Sequence, residues 1–373
     1  MRKNIMIVSL IMILALTSGC MITQHANADL EAKSTYENMD EERGHNSNQE
    51  LNQDMNQDMN QDMNQDSNQD SNQDSYQDNN ESNVDINVDQ KIEINADGDL
   101  IINRNNKSIV LKLNALPDAQ ILQDKNNRLL LLSDPSEKYQ HGILGDSIEA
   151  TAVTFVQLSE DPQVVGKFFV PTDWVIESIL PIWSDWDGDG QREIVLTLSN
   201  KTSGAKLALY DELGNVLAES DPIGTGYRWR HALEIAPFSD PEQNKGSQNL
   251  LVEVQTPHIG GIVGFYSWDK EANKLKKEAS LSGFSTHDIG SREMHMYTVF
   301  ENEKTSQVLL IVPDQSKREL IALSLKSGDV YEVWRIPLSG RLRGEIEIIK
   351  EKGVALIRAI IDDNQEVFLR IPN

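Results

Sequence analysis

Asp185-Trp186-Asp187-Gly188-Asp189-Gly190-Gln191-Arg192-Glu193 runs straight into the apolar stretch Ile194-Val195-Leu196-Thr197-Leu198. Three carboxylates alternate along a glycine-bearing turn and a fourth follows four residues later. A hard cation that takes about six to eight oxygen ligands is served by such a pattern. Asp185, Asp187 and Asp189 would supply side-chain oxygens at the first, third and fifth positions, Gln191 its backbone carbonyl at the seventh, and Glu193 the closing carboxylate at the ninth. Gly188 and Gly190 allow backbone conformations that a Cβ would resist. Without a cation, the converging carboxylates repel one another. An EF-hand would need a bidentate Glu at the twelfth position and a helix after it. The twelfth residue here is Leu196, inside a run of β-branched residues and leucine. The expectation is a strand-flanked calcium loop at the tip of a β-hairpin. A plain acidic turn needs only one Asp-Gly pair, and magnesium binds few protein carboxylates because it holds its water.

At Asp185 to Leu198 the chain resembles the FG-GAP or VCBS-type repeats of integrin-like β-propellers, whose hallmark is Asp-x-Asp-x-Asp-Gly-x-x-Asp/Glu before a short apolar strand. The resemblance covers these residues only. It implies a propeller-blade hairpin and a structural calcium ion, and no particular ligand.

The rest of the foldable chain agrees with blades. Five segments repeat a plan of strand, polar turn and strongly apolar strand: Ile121 to Leu132, Ile182 to Leu198, Ile235 to Val254, Met296 to Val312 and Ile346 to Ile357. A further strand follows each, as at Ala150 to Leu158 and Leu320 to Leu325, and the first four continue into a more amphipathic one, such as Gln163 to Val170. The strands are short, β-branched and punctuated by turn residues. Repeats of about 50 residues with four strands each point to radial blades. The fold class is all-β, a β-propeller with five blades fitting best and six or seven open. The hairpin of Leu100 to Asn103 and Ile109 to Leu113 is expected to complete the unfinished fifth repeat and so remove exposed sheet edges.

The N-terminus sets the compartment. Arg2 and Lys3 precede an apolar run from Ile5 to Leu16, then Thr17-Ser18-Gly19-Cys20. This is the layout of a secretory signal, too short for a permanent span. Cys20 is the only cysteine, and residues 1–20 resemble a bacterial lipoprotein signal with its lipidated cysteine, although Thr17 stands where Leu is commonest. Residues 21–90 follow as an acidic, low-complexity stretch in which Asn-Gln-Asp-Met drifts to Asn-Gln-Asp-Ser. It holds 17 Asp and Glu against Lys33 and Arg43, within a formal net charge of −25 for the whole chain. With almost nothing apolar to bury, it is expected to be a disordered tether. Residues 91–373 then form the propeller domain. They still hold 42 acidic against 30 basic residues, which argues against nucleic acid, whose recognition needs a basic footprint.

No catalytic motif stands out. His287, Glu293 and His295 come nearest to a transition-metal cluster, although solvated loop histidines are the simpler reading. Tyr227 to Arg230 beside His231 reads as strand packing before it reads as a binding surface, and His258-Ile259-Gly260-Gly261 as a tight turn. The function expected is a cell-surface lipoprotein on the extracytoplasmic face of the membrane. It would present a calcium-stabilised propeller to an extracellular protein or glycan. The alternative is a polysaccharide-acting hydrolase, which needs two channel carboxylates roughly 5–10 Å apart. Asp173, Glu177 and Glu234 are the candidates.

Overall fold

The computed structural model describes residues 90–238, 249–302, 305–351 and 354–372. Cys20 and the acidic segment 21–89 lie outside the described residues. Six antiparallel meanders follow one another and build a β-propeller. The first is Lys91–Ile94, Asp99–Arg104 and Lys107–Lys112. The second is Leu122–Gln123, Arg128–Ser133, Ala152–Gln157 and Gln163–Phe169. In the third, Val175–Ile176 and Ile182–Ser184 both pair with Glu193–Asn200, and Gly204–Tyr210 and Val216–Glu219 lie outside it. The fourth is Arg230–Ala236, Leu250–Gln255, Gly261–Asp269 and Lys274–Phe284. The fifth is Thr298–Asn302, Gln307–Pro313, Glu319–Lys326 and Asp329–Pro337. The sixth is Leu342–Glu351, Val354–Ile361 and Gln365–Arg370. Sheets three and four touch at their outer strands through one parallel pair, Glu219 opposite Lys274.

Burial explains why these runs are strands. The second and third strands of sheet three, Glu193–Asn200 and Gly204–Tyr210, are buried at every residue, so both faces are covered: Ile194, Leu196 and Leu198 pack on one, while the other sets Val195 beside the buried Glu193, Thr197 and Ser199. The outer strands Gln163–Phe169 and Lys274–Phe284 face solvent over most of their length and carry the lysines and glutamates. Five apolar clusters form the core, each joining one sheet to the next: one to two, two to three, three to four, four to five and five to six. No cluster among the described residues joins sheet six to sheet one.

Six sheets fall within the expected range of five to seven, but the expected closure differs. The N-terminal hairpin does not complete the last repeat. It pairs with Lys91–Ile94 to make a sheet of its own, and Gln365–Arg370 pairs only with Val354–Ile361. The reason is apolar: Leu100, Ile102 and Leu113 are buried against Leu129, Leu131 and Val156 of sheet two, which gives the hairpin a face to cover next door.

Candidate functional site

The loop 185–192 joins Ile182–Ser184 to Glu193–Asn200, with Glu193 opposite Ser184 in register. It is the hairpin tip expected from the sequence. The carboxylates shape it by accepting backbone N–H groups. Asp185 takes those of Gly188 and Gly190 at 2.8 and 3.0 Å, Asp187 that of Asp189 at 3.1 Å, and Asp189 that of Gln191 at 2.7 Å. Glu193, buried at the loop's base, takes the N–H of Trp186 at 2.8 Å. Gly188 and Gly190 have φ of 77° and 89°, a left-handed region in which a side chain is strained.

Oxygens of Asp185, Asp187 and Glu193 lie within 4.8 Å of one another. Asp189 stands outside that group, and the Gln191 side-chain amide donates to Asp189 at 3.3 Å. Lys270, from the turn between the last two strands of sheet four, pairs with Asp187. Burial pushes Glu193 up to about 7, against the Trp186 N–H and reinforced by Asp187, Asp189 and Asp185. A hard-oxygen donor set, with one carboxylate made harder to ionise by burial and then by its acidic neighbours, fits a divalent cation.

Trp186 is buried between sheets three and four. Its indole Nε1 donates to the Asn249 carbonyl at 2.8 Å, and the Asn249 side-chain amide donates back to the Trp186 carbonyl at 2.7 Å. The loop is thereby fastened to the neighbouring sheet.

Beside the loop, the first strands of sheets two, three and four and the residues leading into sheet five line an open cavity of about 570 Å³. Trp183, Asp185, Arg192, Glu234, His295 and Tyr297 are among its walls. The Arg128 and Arg192 guanidiniums lie 5.2 and 4.8 Å from the centroid of Trp183, whose Nε1 donates to Glu212 at 2.9 Å. Burial raises the pKa of Glu234.

The sequence missed a second polar cluster. Glu177 is fully buried and holds His141 Nδ1 and the Ser199 hydroxyl. Burial raises it, with His141 acting the other way. Glu149, also buried, is pushed up to about 9 by burial and then by Glu177. The indole N–H of Trp229 donates to the Glu177 backbone carbonyl at 2.8 Å, and its ring stacks on His231 and His258 at 5.0 and 6.1 Å. His287 Nε2 lies 3.0 Å from the Ser291 carbonyl, and His258 Nε2 lies 3.0 Å from His287 Nδ1. A carbonyl only accepts, so His287 carries its proton on Nε2 and accepts one from His258. Burial holds both histidines down to about 4, so the pair is neutral.

The other candidates fall out as follows. Asp173 sits exposed in the turn that precedes Val175–Ile176. Glu177 and Glu234 serve different surroundings, since His141 and Ser199 occupy the carboxylate of Glu177 while Glu234 lines the cavity. The carboxylate beside Glu177 is Glu149. His287 is fully buried rather than solvated, and it joins His258 instead of Glu293 and His295, which lie 3.8 Å apart. Among the described residues, the only group of three or more potential metal ligands is the one in the 185–193 loop. Arg230 is buried and bidentate on Glu253, at 2.6 Å for each bond, so the run ending there is packing, while Tyr227 remains exposed. His258 to Gly261 is the tight turn expected, closed by the Ile259 N–H on the Thr256 carbonyl at 3.1 Å.

No protein-family model and no curated protein matches the chain. Among solved structures, a Lactobacillus plantarum protein is 9% identical, with 74% of this chain and 78% of that one covered and a TM-score of 0.41. A putative 6-phosphogluconolactonase from Bacteroides fragilis is 10% identical over 74% and 77%, TM-score 0.37. The exotype rhamnogalacturonan lyase YesX is 12% identical over 72% and 62%, TM-score 0.36. Likenesses this distant carry no activity, substrate or partner over to this chain.

Proposed function

We propose that this chain is a surface lipoprotein whose propeller is a binding module braced by calcium in one hairpin, of the FG-GAP type. Lipid on Cys20 would hold it at the extracytoplasmic face of the membrane. Residues 21–90 would space the propeller from that surface, toward an extracellular protein or glycan. The observation that carries the reading is the convergence of Asp185, Asp187 and Glu193 within 4.8 Å at the tip of a hairpin fastened to the next sheet by Trp186. A cation there would cancel mutual repulsion and stiffen the contact between two sheets. Asp189 would move in to complete the set, with the Gln191 carbonyl.

Calcium sites in extracellular modules have dissociation constants of about 10⁻⁴ to 10⁻³ M. At tenfold excess over that constant, linkage adds about 1.4 kcal/mol to folding. Chelation is expected to lower Tm by a few degrees without unfolding the domain, and Asp187→Ala to abolish that response. A melting curve indifferent to calcium would reduce the loop to a decorated turn. For the anchor, Cys20→Ser is expected to move the protein from the membrane fraction into solution, because stable attachment needs two or more membrane signals. A variant that stays membrane-bound would refute lipid attachment.

A hydrolase remains the second reading because Glu149 and Glu177 are buried neighbours with His141 on one of them. Turnover of a polysaccharide that Glu149→Gln abolishes would favour it over the binding module.

A further inference from the structure

The cavity beside the acidic loop is a second feature of the propeller, separate from the carboxylate cluster. We propose that it binds a neutral, polyhydroxylated ring, a sugar, and that the loop sets the position of one of its walls. This rests on the binding-module reading and narrows it from any protein or glycan to a sugar at one place.

Size comes first. A cavity of about 570 Å³ lies within the range of about 300–1,000 Å³ typical of small-ligand sites. Its surfaces alternate in chemistry. Trp183 and Tyr297 are flat; Trp183 already carries Arg128 and Arg192 against its ring, and the Tyr297 hydroxyl is committed to the Leu233 carbonyl, so the Tyr297 ring is what remains for a ligand. Glu234 is a half-buried carboxylate that accepts the Ile235 N–H at 3.3 Å, and no cation among the described residues pairs with it. A carboxylate has about four acceptor positions, so Glu234 keeps capacity for incoming hydroxyl donors. A sugar ring offers what these walls ask for: an apolar C–H face for the aromatic side and hydroxyls for the acceptors.

Charge argues for neutrality. Asp185 and Glu234 oppose an anion. Arg192, which lines the cavity, and Arg128 place two guanidiniums at Trp183, so an ammonium group gains nothing at that wall. Those guanidiniums are also spoken for, Arg128 by Glu212 and both by Asp124, so they are poor anchors for a carboxylated ligand.

Coupling follows from shared residues. Asp185 belongs to the converging carboxylates of the loop and also to the cavity wall, and Arg192 ends the loop and lines the same cavity. Asp187 belongs to the loop and does not line the cavity. A change at Asp187 therefore reaches a bound sugar only through the loop.

The test is calorimetric titration of the full chain with N-acetylglucosamine, glucose and galactose, and with galacturonate and lysine methyl ester as charged probes, in calcium and in chelator. At least one neutral sugar is expected to bind saturably in calcium. Affinity should fall on the order of tenfold in Tyr297→Ala and in Glu234→Gln, as when one aromatic contact or one charged hydrogen bond is lost. It should fall several-fold in chelator and in Asp187→Ala. Glu234→Gln preserves shape, so it keeps the test intact if Tyr297→Ala fails to fold. No binding of any neutral sugar, preference for a charged probe, or binding unmoved by both cavity variants would overturn the proposal. The melting temperature separates this from the reading beneath it: a calcium-dependent Tm without sugar binding sinks the cavity proposal alone.

Discussion

Two hairpin tips occupy the same place in neighbouring sheets and solve the same problem differently. In sheet two, one carboxylate organises the turn. Asp124 accepts the N–H groups of Asn126 and Arg128 at 2.9 and 2.8 Å, then the Arg128 guanidinium at 2.8 Å and that of Arg192 at 3.0 Å. Burial works against its charge, yet the Arg128 N–H and guanidinium prevail and hold its pKa below the ordinary 3.8. In sheet three, four carboxylates share one longer turn with Lys270 as the cationic partner of Asp187, and Glu193 rises to about 7. The first turn is neutralised by Arg128 at its own end and by Arg192 from the end of the neighbouring loop. The second is built with more negative charge than the chain around it neutralises, which is the excess that the proposed calcium ion would offset.

The comparison breaks most directly at Asp124. Asp124→Ala removes the buried partner of two guanidiniums and is expected to cost about 3 kcal/mol of folding stability, as other broken buried pairs do. Calcium should not restore it. Denaturant melts with and without calcium measure this, and a loss below about 1 kcal/mol would place the turn among surface ion pairs.

Glu149 supplies the third case, a buried carboxylate with neither guanidinium nor metal, raised to about 9. Its pKa is higher in the folded state than in the unfolded chain, so the stability it contributes is complete below the unfolded value near 4.5. That stability is lost as pH rises toward 9. The limiting slope is about 1.4 kcal/mol per pH unit. Glu149→Gln should flatten the decline of Tm between pH 5 and 9 and raise Tm at the alkaline end. An unchanged slope would mean that Glu149 is ionised in the folded protein.

The smallest expected effect belongs to Lys270, an exposed side chain on Asp187. Lys270→Ala should destabilise the calcium-free protein by less than about 1 kcal/mol. It should tighten calcium binding a few-fold, because the ammonium and the ion compete for the same oxygens. Weaker calcium binding in that variant would show that the lysine supports the site instead.

How much of this could be read from the chain depended on distance along it. Glu193–Asn200 and its partner strand were legible because β-branched runs ended at turn residues, and the loop was legible because its carboxylates alternate within nine positions. The six-sheet count was not. Lys-Ile-Glu-Ile at 91–94 is four residues long and follows a polar repeat, so nothing local marked it as a third strand for the N-terminal hairpin. Trp183 under two guanidiniums, and Glu149 beside Glu177, depend on residues from different sheets. No periodicity reports such pairs. The one local hint at Glu149 was a lone acid flanked by Ile148 and Ala150 at the entrance to a buried strand.

The core clusters each join one sheet to its successor, and none among the described residues joins the last to the first. In cooperativity terms this is a row and not a circle. Among the described residues, sheets two to five each share an apolar cluster with two neighbours and sheets one and six with one, so nearest-neighbour coupling lets the ends open at lower free energy than the middle. Amide hydrogens of Asp99–Arg104 and Val354–Ile361 should exchange before those of Glu193–Asn200.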